Sequence, residues 1–237
     1  MEVHAHTHTD RKKWTHYLWE FIMLFLAVFC GFLAEYQLEH VFEHSREKEY
    51  MRSMVEDLAQ DTTEINKANH RMLETHKNLD SLLDLLELPI SKDKNDLKKL
   101  YELHYYNMGA EAALFSQRTI SQLKNAGGLR LIRRKNVADS ITLYDTKLQN
   151  LAAIVKSYDE ATTDMVKEGY MIFDNRYIRH DFKNGPISLL TNDAPTIRHY
   201  ANCVSMVQVV DKYYSVYLLQ QKNLAIDLIV LIQKEYH

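Results

Sequence analysis

Residues Phe21 to Ala34 read FIMLFLAVFCGFLA, fourteen residues without a charged or strongly polar side chain. Lipid offers no hydrogen-bonding partner to backbone N–H and C=O groups, so a segment that crosses it must satisfy its backbone within a helix. A hydrocarbon core of roughly 30 Å needs about 20 helical residues, and the apolar flanks from Tyr17 to Leu38 supply the rest. This stretch therefore predicts a transmembrane helix.

The residues around this stretch fit the two boundaries of a bilayer. Glu20, Glu35 and Gln37 are the polar interruptions, and all three lie near the ends of the span, where side chains reach the interface. The aromatic residues typical of membrane boundaries are Trp14, Tyr17, Trp19 and Tyr36. We predict a transmembrane anchor over residues 14–38, preceded by a disordered N-terminal tail at residues 1–13.

Three other interpretations of the apolar stretch compete with this one. A cleaved signal peptide would need a small-x-small cleavage site, which the sequence after Gly31 lacks. A lipoprotein signal would use Cys30, but the bulky Phe29 stands where a small residue is expected. The third is the buried core helix of a soluble protein. We favour an uncleaved signal anchor.

Composition limits the partners and the fold. The net charge of −3 gives no electrostatic reason to expect nucleic acid as a partner. Six Gly and three Pro in 237 residues suit long helices with few turns. Cys30 and Cys203 are far apart in the chain and imply no disulfide framework.

The charges beside the anchor predict its orientation. Arg11, Lys12 and Lys13 directly precede it, whereas Arg46 and Lys48 follow at a greater distance. Positive residues favour the cytoplasmic side. We expect a single-pass protein with a cytoplasmic N-terminus and the C-terminal domain across the membrane.

Helical periodicity continues beyond the anchor. There is no Gly or Pro between Gly31 and Pro89, so the first helix is expected to run on from Tyr17 to Leu88. One row is apolar and recurs every seven residues: Met51, Leu58, Ile65, Met72, Leu79 and Leu86. The second row is mixed: Val55, Thr62, Asn69, His76 and Leu83. Such a pattern is typical of a helix with a bundle or coiled-coil face.

Shorter helices follow along the chain. Two of the later helices also carry rows of residues with heptad spacing, which we call seams. We predict a helix within residues 91–115 and another at 116–126 that Gly127 and Gly128 end. Asn136 is the expected N-cap of the next helix. The seam of that helix is Val137, Ile141, Tyr144, Leu148, Leu151, Val155, Tyr158, Thr162 and Met165. Residues 174–194 read as a long loop, with Asn192 or Asp193 capping the last helix.

The last helix has a predicted seam of Cys203, Val207, Val210, Tyr214, Tyr217, Gln221, Leu224, Leu228 and Leu231. Its charged residues Asp211, Lys212, Lys222 and Asp227 exclude a second membrane span here. No strand-like alternation occurs. The predicted fold is all-α: a transmembrane helix that continues into a long helix, and an antiparallel helical bundle within residues 39–237.

One motif could carry metal chemistry. His40-Val41-Phe42-Glu43-His44 matches the H-x-x-E-H pattern, which on a helix places His40 and His44 one turn apart with Glu43 as a general base. The sequence identifies no third ligand, so a solvated helix face is the preferred interpretation. His4, His6 and His8 in the tail could chelate a metal, but a polar tail without a site is preferred.

Three segments together resemble a known group of proteins: KKWTHYLWEFIMLFLAVFCGFLAEYQLEH, REKEYMRSMVEDLAQDT and SQRTISQLKNAGGLRLIRRKNVADSITLYD. They are similar to single-pass membrane proteins typical of Bacteroidota and to a broader domain-of-unknown-function family with an N-terminal membrane helix. The resemblance covers about half of the chain. It implies a setting in the inner membrane of a Gram-negative bacterium, with the helical domain in the periplasm, and carries no activity, cofactor or catalytic residue.

The sequence thus leads to three functional hypotheses. The first is a membrane-anchored scaffold or interaction protein without catalytic activity, in contact with the lipid bilayer and with itself or another membrane protein. Its expected interaction surface is the row Met51, Leu58 and Ile65, which the shorter later helices are expected to cover only in part. The second is an extracytoplasmic sensory or ligand-binding module. The third is a metal-dependent hydrolase that uses His40, Glu43 and His44.

Overall fold

The computed structural model describes residues 14–109, 112–125, 127–178 and 187–236. Within these ranges the chain forms five α-helices and no strand, which confirms the all-α prediction. The helices are α1 (Trp14–Leu85), α2 (Lys94–Tyr106), α3 (Arg118–Asn125), α4 (Lys135–Gly169) and α5 (Ala194–Tyr236). Two 3₁₀ helices lie at Gly128–Leu131 and Asn175–Ile178.

The described part divides into two compact units, and the boundary falls within α1 between Glu49 and Tyr50. The first unit contains the apolar N-terminal part of α1. The second contains the remainder of α1 and the other four helices. The predicted disordered tail at residues 1–13 and the middle of the predicted loop, residues 179–186, lie outside the described residues.

In the second unit α1 buries the predicted apolar row. Met51, Leu58, Ile65, Met72, Leu79 and Leu86 are all buried. The second row is shifted by one residue from the prediction: Met54, Asp61, Ala68 and Leu82 are buried, whereas Val55, Thr62, Asn69 and Leu83 are half-buried. The shift arises because Asp61 is buried with hydrogen-bonding partners, which an apolar pattern does not reveal.

Polar contacts between helices show their directions. The start of α4 meets the end of α5, where Arg134 Nε lies 3.3 Å from Glu235 Oε2. The end of α4 meets the start of α5, where His199 Nε2 lies 3.4 Å from Glu168 Oε2. These two helices are therefore antiparallel. Gln208 of α5 donates a hydrogen bond to Asp80, so the later part of α1 packs near the first half of α5.

The α4 seam matches the prediction almost completely. Eight of its nine predicted positions are buried, and the ninth, Val155, is half-buried. The α5 seam is partly wrong. Val207, Tyr214, Gln221 and Leu228 are buried as predicted, but the adjoining row is Val204, Asp211, Leu218, Ala225 and Ile232. Tyr217, by contrast, is exposed. One row of the buried face of α5 is thus displaced by one residue from the predicted seam.

Three helix ends show how local sequence sets the boundaries. Gly127 adopts the left-handed conformation, with φ of 66°, and closes the α3 turn as predicted. Asp193 caps α5 by accepting hydrogen bonds from the N–H of Thr196 at 3.0 Å and its hydroxyl at 2.7 Å. The predicted cap at Asn136 is wrong, because α4 begins one residue earlier and the Asn136 amide donates to Glu235 instead.

Candidate functional site

The apolar stretch of the first unit has large exposed side chains on every side of the helix. Trp14, Phe21, Phe25, Phe29 and Phe32 are each about half exposed or more. Phe21 stacks on Phe25, and Phe25 on Phe29, with ring centroids 6.4 and 5.9 Å apart. Burying a large apolar side chain is worth roughly 1.5–3 kcal/mol, so a surface of this kind requires an apolar environment.

By length and composition two helices are able to cross a membrane, α1 through its N-terminal part and α5. The exclusion of α5 on its four charges was therefore too strong. The two helices differ in burial, since none of the apolar window of α1 is buried and 28 % of the α5 window is. The core-facing side of α5 packs within the second unit, where Tyr214 and Leu218 belong to the hydrophobic core.

The structure corrects the predicted interaction surface. Met51, Leu58 and Ile65 are at most 1 % exposed and belong to one core cluster with residues of α3, α4 and α5. The shorter helices cover this row fully, contrary to the expectation that part of it would stay bare. It does not form a docking surface on the folded chain.

The H-x-x-E-H motif lies in the first unit on the continuous helix. Its ring nitrogens pair with carboxylates one turn further on: His40 Nδ1 lies 3.7 Å from Glu43, and His44 Nδ1 lies 3.4 Å from Glu47. Across the described residues no group of three or more His, Cys, Asp and Glu side chains is placed to hold a metal ion. The histidines are on one helical face, but the structure brings no third ligand to them.

A carboxylate pair on α1 holds the segment between α2 and α3. Asp57 accepts hydrogen bonds from the Thr119 N–H at 3.0 Å and from the Arg118 guanidinium at 2.8 Å. Asp61, one turn later, accepts from the Ser116 N–H at 2.7 Å and from the Tyr144 hydroxyl at 2.6 Å. The first turn of α3 has unpaired N–H groups and a partial positive charge, which a carboxylate satisfies. The pair therefore joins α1, α3 and α4.

The pKa values of the two carboxylates are shifted in opposite directions. Burial alone would raise the pKa of Asp57, but hydrogen bonds from Thr119 and Ser116 and the Arg118 charge outweigh it and lower that pKa. Burial raises the pKa of Asp61, and the hydrogen bonds from Tyr144 and Ser116 offset this only in part. The charge of Asp57 raises it further.

A second polar cluster lies between α1, α4 and α5. Asp211 is almost fully buried, and its Oδ2 lies 3.6 Å from His76 Nδ1. Burial raises the pKa of Asp211, while the charge of His76 and a hydrogen bond from Tyr158 act in the opposite direction. His76 and Tyr158 thus offset part of the cost of burying Asp211, which places a polar residue on the core face of α5.

A histidine is enclosed in the second core cluster. His104 of α2 is fully buried, stacks on Phe173 with centroids 4.1 Å apart, and shares a 2.7 Å hydrogen bond between Nδ1 and the Tyr200 hydroxyl. Burial lowers the pKa of His104 to about 4. The ring lies directly against Gly169 of α4. At neutral pH this histidine is uncharged and acts as a packing residue.

One open groove lies between α1 and α2, with a volume of ≈420 Å³. It is lined by Glu74, Lys77, Asn78, Lys99, Glu102, Leu103 and Tyr106. Two lysines and two glutamates give it both signs of charge. Its size suits a small ligand.

Sequence reasoning missed the carboxylate pair and the outward face of α5. The spacing of Asp57 and Asp61, four residues apart beside the buried Met54, Leu58 and Ile65, was the available signal for the pair. Comparison with protein families, curated proteins and solved structures finds no match to this chain.

Proposed function

We propose that this chain is a membrane-anchored helical scaffold or interaction protein without catalytic activity. The exposed apolar surface from Trp14 to Leu38 supports the anchor, since such a surface is stable only in lipid or against another apolar surface. The polar clusters support a structural domain, because each joins helices that are distant in sequence. Asp61 with Tyr144 and His76 with Asp211 are two examples.

The proposed topology is a single pass through the inner membrane of a Gram-negative bacterium. The N-terminus lies in the cytoplasm and the second unit in the periplasm, in agreement with the positive cluster before the anchor. In this arrangement α5 is part of the periplasmic domain. Its buried side holds Asp211 and Gln221, and Gln221 donates a hydrogen bond to the Tyr144 carbonyl. Two such polar groups are better accommodated in a protein core than in lipid.

The experiment is an alkaline carbonate wash of membranes that contain the full chain, followed by intact mass measurement. We expect retention in the membrane and a mass that includes the apolar stretch. Replacing Leu24 and Val28 with Arg should release the protein, because each central charge costs about 2.5–3.5 kcal/mol of insertion. Leu143→Arg, an exposed substitution on α4, is the matched control and should be retained. A wild-type protein that the wash releases, or a mature N-terminus near Cys30, contradicts the anchor.

The groove between α1 and α2 supports an alternative, a ligand-binding module. Lys77, Lys99, Glu74 and Glu102 would bind a small zwitterion through both of its charges. The discriminating measurement is the change in melting temperature of the full chain in detergent with a panel of zwitterionic amino acids. A shift that Lys99→Ala abolishes would favour this function, and no shift across the panel would favour the scaffold.

A further inference from the structure

The outward side of α5 differs from that of its neighbour α4. Helix α4 exposes one large apolar side chain, Leu143. Helix α5 exposes eight: Met206, Val209, Tyr213, Val216, Tyr217, Leu219, Ile226 and Val230. A helix at the surface of a soluble domain normally presents a polar outer face, as α4 does. The outer face of α5 is therefore suited to a further packing contact.

Seven exposed residues of α5 repeat with heptad spacing on the side away from the core. This outer seam steps by three and four through Val209, Lys212, Val216, Leu219, Asn223, Ile226 and Val230. Its five apolar side chains are 42–59 % exposed, whereas Leu218 and Ala225 on the opposite side are fully buried. The outer seam covers 22 residues, or about 33 Å at ~1.5 Å per residue. Heptad spacing at a free surface favours another helix as the occupant.

The residue types of the outer seam predict how that helix is arranged. In the notation of a heptad, the a positions are Val209, Val216, Asn223 and Val230, and the d positions are Lys212, Leu219 and Ile226. Valine at a with leucine at d favours two parallel strands, and a single asparagine at a fixes their register. Lys212 lies near the first end of the seam, where its long side chain reaches water. The pattern is that of a parallel pair of like helices.

The charges beside the seam support the same arrangement. Lys222 occupies a g position and Asp227 the e position of the next heptad. In a parallel pair in register, g of one helix lies beside this e position of the other, so Lys222 of each copy faces Asp227 of the other. Neither residue forms an ion pair within the described part of the chain. An antiparallel pair would instead bring g beside g and e beside e.

The anchor gives the two copies a common direction. Helix α1 is continuous from Trp14 to Leu85, and its later part is antiparallel to α5, because His76 contacts Asp211 and Asp80 accepts a hydrogen bond from Gln208. Two chains that enter one membrane in the same sense therefore run their α5 helices in the same sense. Confinement to one membrane also raises the effective concentration of the second copy, so a short seam is sufficient for pairing.

We propose that two copies of this chain pair in parallel and in register through the outer seam of α5, with Lys222 of each copy bound to Asp227 of the other. Each seam residue then meets its own counterpart across a two-fold axis along the helices, which is an isologous contact. This inference rests on the proposed scaffold function and names its partner, a second copy of the same chain. Membrane retention and pairing are measured separately.

The test is disulfide cross-linking of the full chain in native membranes, in a Cys30→Ala, Cys203→Ala background. Val216→Cys lies on the seam and should form a dimer with itself on oxidation, because like positions meet in a parallel pair. Tyr217→Cys is the matched control, since its side chain is exposed on the same helix but lies outside the seam. We expect the initial rate of dimer formation to be about fivefold or more higher for Val216→Cys.

Charge reversal tests the ion pairs with the same readout, added to the Val216→Cys chain. Lys222→Glu alone and Asp227→Lys alone should each lower the rate of dimer formation roughly three- to tenfold, because each change replaces two attractions by two repulsions. The double variant K222E/D227K exchanges the charges and should restore the rate to within about twofold. Recovery in the double variant shows that the loss came from the pairing and not from the fold.

Two results overturn the proposal. The first is a Val216→Cys chain that forms no more dimer than Tyr217→Cys while it stays in carbonate-washed membranes, which would leave the anchor intact and remove the pairing. The second is a double variant that dimerises as poorly as the single variants, which would exclude the parallel register. Release of the protein by the wash would contradict the anchor instead, so the two failures are distinguishable.

Discussion

The hydroxyl of Tyr144 in α4 donates a 2.6 Å hydrogen bond to the carboxylate of Asp61 in α1. Both residues are about 1 % exposed, and the second oxygen of Asp61 accepts from the Ser116 N–H. Neither group reaches water, so each depends on the other for its hydrogen bond. The contact links two helices that are 83 residues apart at this point.

We expect Tyr144→Phe to lower the free energy of unfolding by about 1–3 kcal/mol, because it removes one partner from a buried acceptor. Asp61→Ala should cost more, since it leaves both the Tyr144 hydroxyl and the Ser116 N–H unpaired. The measurement is urea unfolding of the full chain in detergent, followed by circular dichroism. Tyr105→Phe, at an exposed tyrosine, is the matched control and should change stability by less than about 0.5 kcal/mol.

The middle of the α4 seam gives a second prediction. Leu148, Leu151 and Leu228 are buried, and Leu224 packs half-buried against the same cluster. Leu151→Ala should cost about 2–5 kcal/mol, from lost transfer energy and the cavity that remains. Gln149→Ala should cost less than about 0.5 kcal/mol, because its side chain is exposed. Equal shifts in melting temperature for the two variants would refute the assignment of faces.

Gly169 is expected to tolerate no side chain. A methyl group there would lie 2.9 Å from His104 Nε2 and closer still to the adjacent ring carbon. Gly169→Ala should therefore destabilise the fold by about 1–3 kcal/mol through overpacking. In a His104→Ala background the same substitution should cost much less, since the ring is gone. An equal cost in both backgrounds, measured by urea unfolding, would show that the contact is not the cause.

Buried His104 predicts acid sensitivity. Its pKa in the folded chain, about 4, lies below the ordinary value of 6.5, so the folded state binds its proton more weakly than the unfolded state. The resulting stability is fully present above pH 6.5 and is lost as pH falls from 6.5 towards about 4, by up to about 1.4 kcal/mol per unit.

The measurement is the free energy of unfolding between pH 7 and 5. His104→Phe should flatten this dependence, although it lowers stability at pH 7 by removing the Tyr200 hydrogen bond. His70→Gln changes an exposed histidine and should keep the wild-type slope. A slope that survives in His104→Phe would contradict the assignment of the acid sensitivity to His104.

The sequence was sufficient where one physical rule dominated. The helix over the fourteen uncharged residues, the buried row with seven-residue spacing from Met51 to Leu86 and the helix end at Gly127 were each predicted from the sequence and are present in the structure. Apolar periodicity also placed the α4 seam, since almost every buried position on that helix is apolar, tyrosine or threonine.

The prediction failed where buried polar groups replaced apolar ones. Asp61 lies on a core face because Tyr144 and Ser116 donate hydrogen bonds to it, and Asp211 lies on one because His76 and Tyr158 offset part of the cost of its burial. Such long-range partners have no local sequence pattern. For this reason the predicted buried faces of α1 and α5 each differ from the observed faces by about one residue along one row.

The core row of α1 has a consequence for biosynthesis. Leu58 is made early, but its core cluster also contains Leu218, about 160 residues later in the chain. At ~5–20 residues per second, the row from Met51 to Ile65 stays uncovered for on the order of ten seconds after it leaves the ribosome. We expect the nascent chain, unlike the folded protein, to present this row to chaperones. Truncated chains that end before α5 should therefore co-purify with chaperones far more than the full-length protein does.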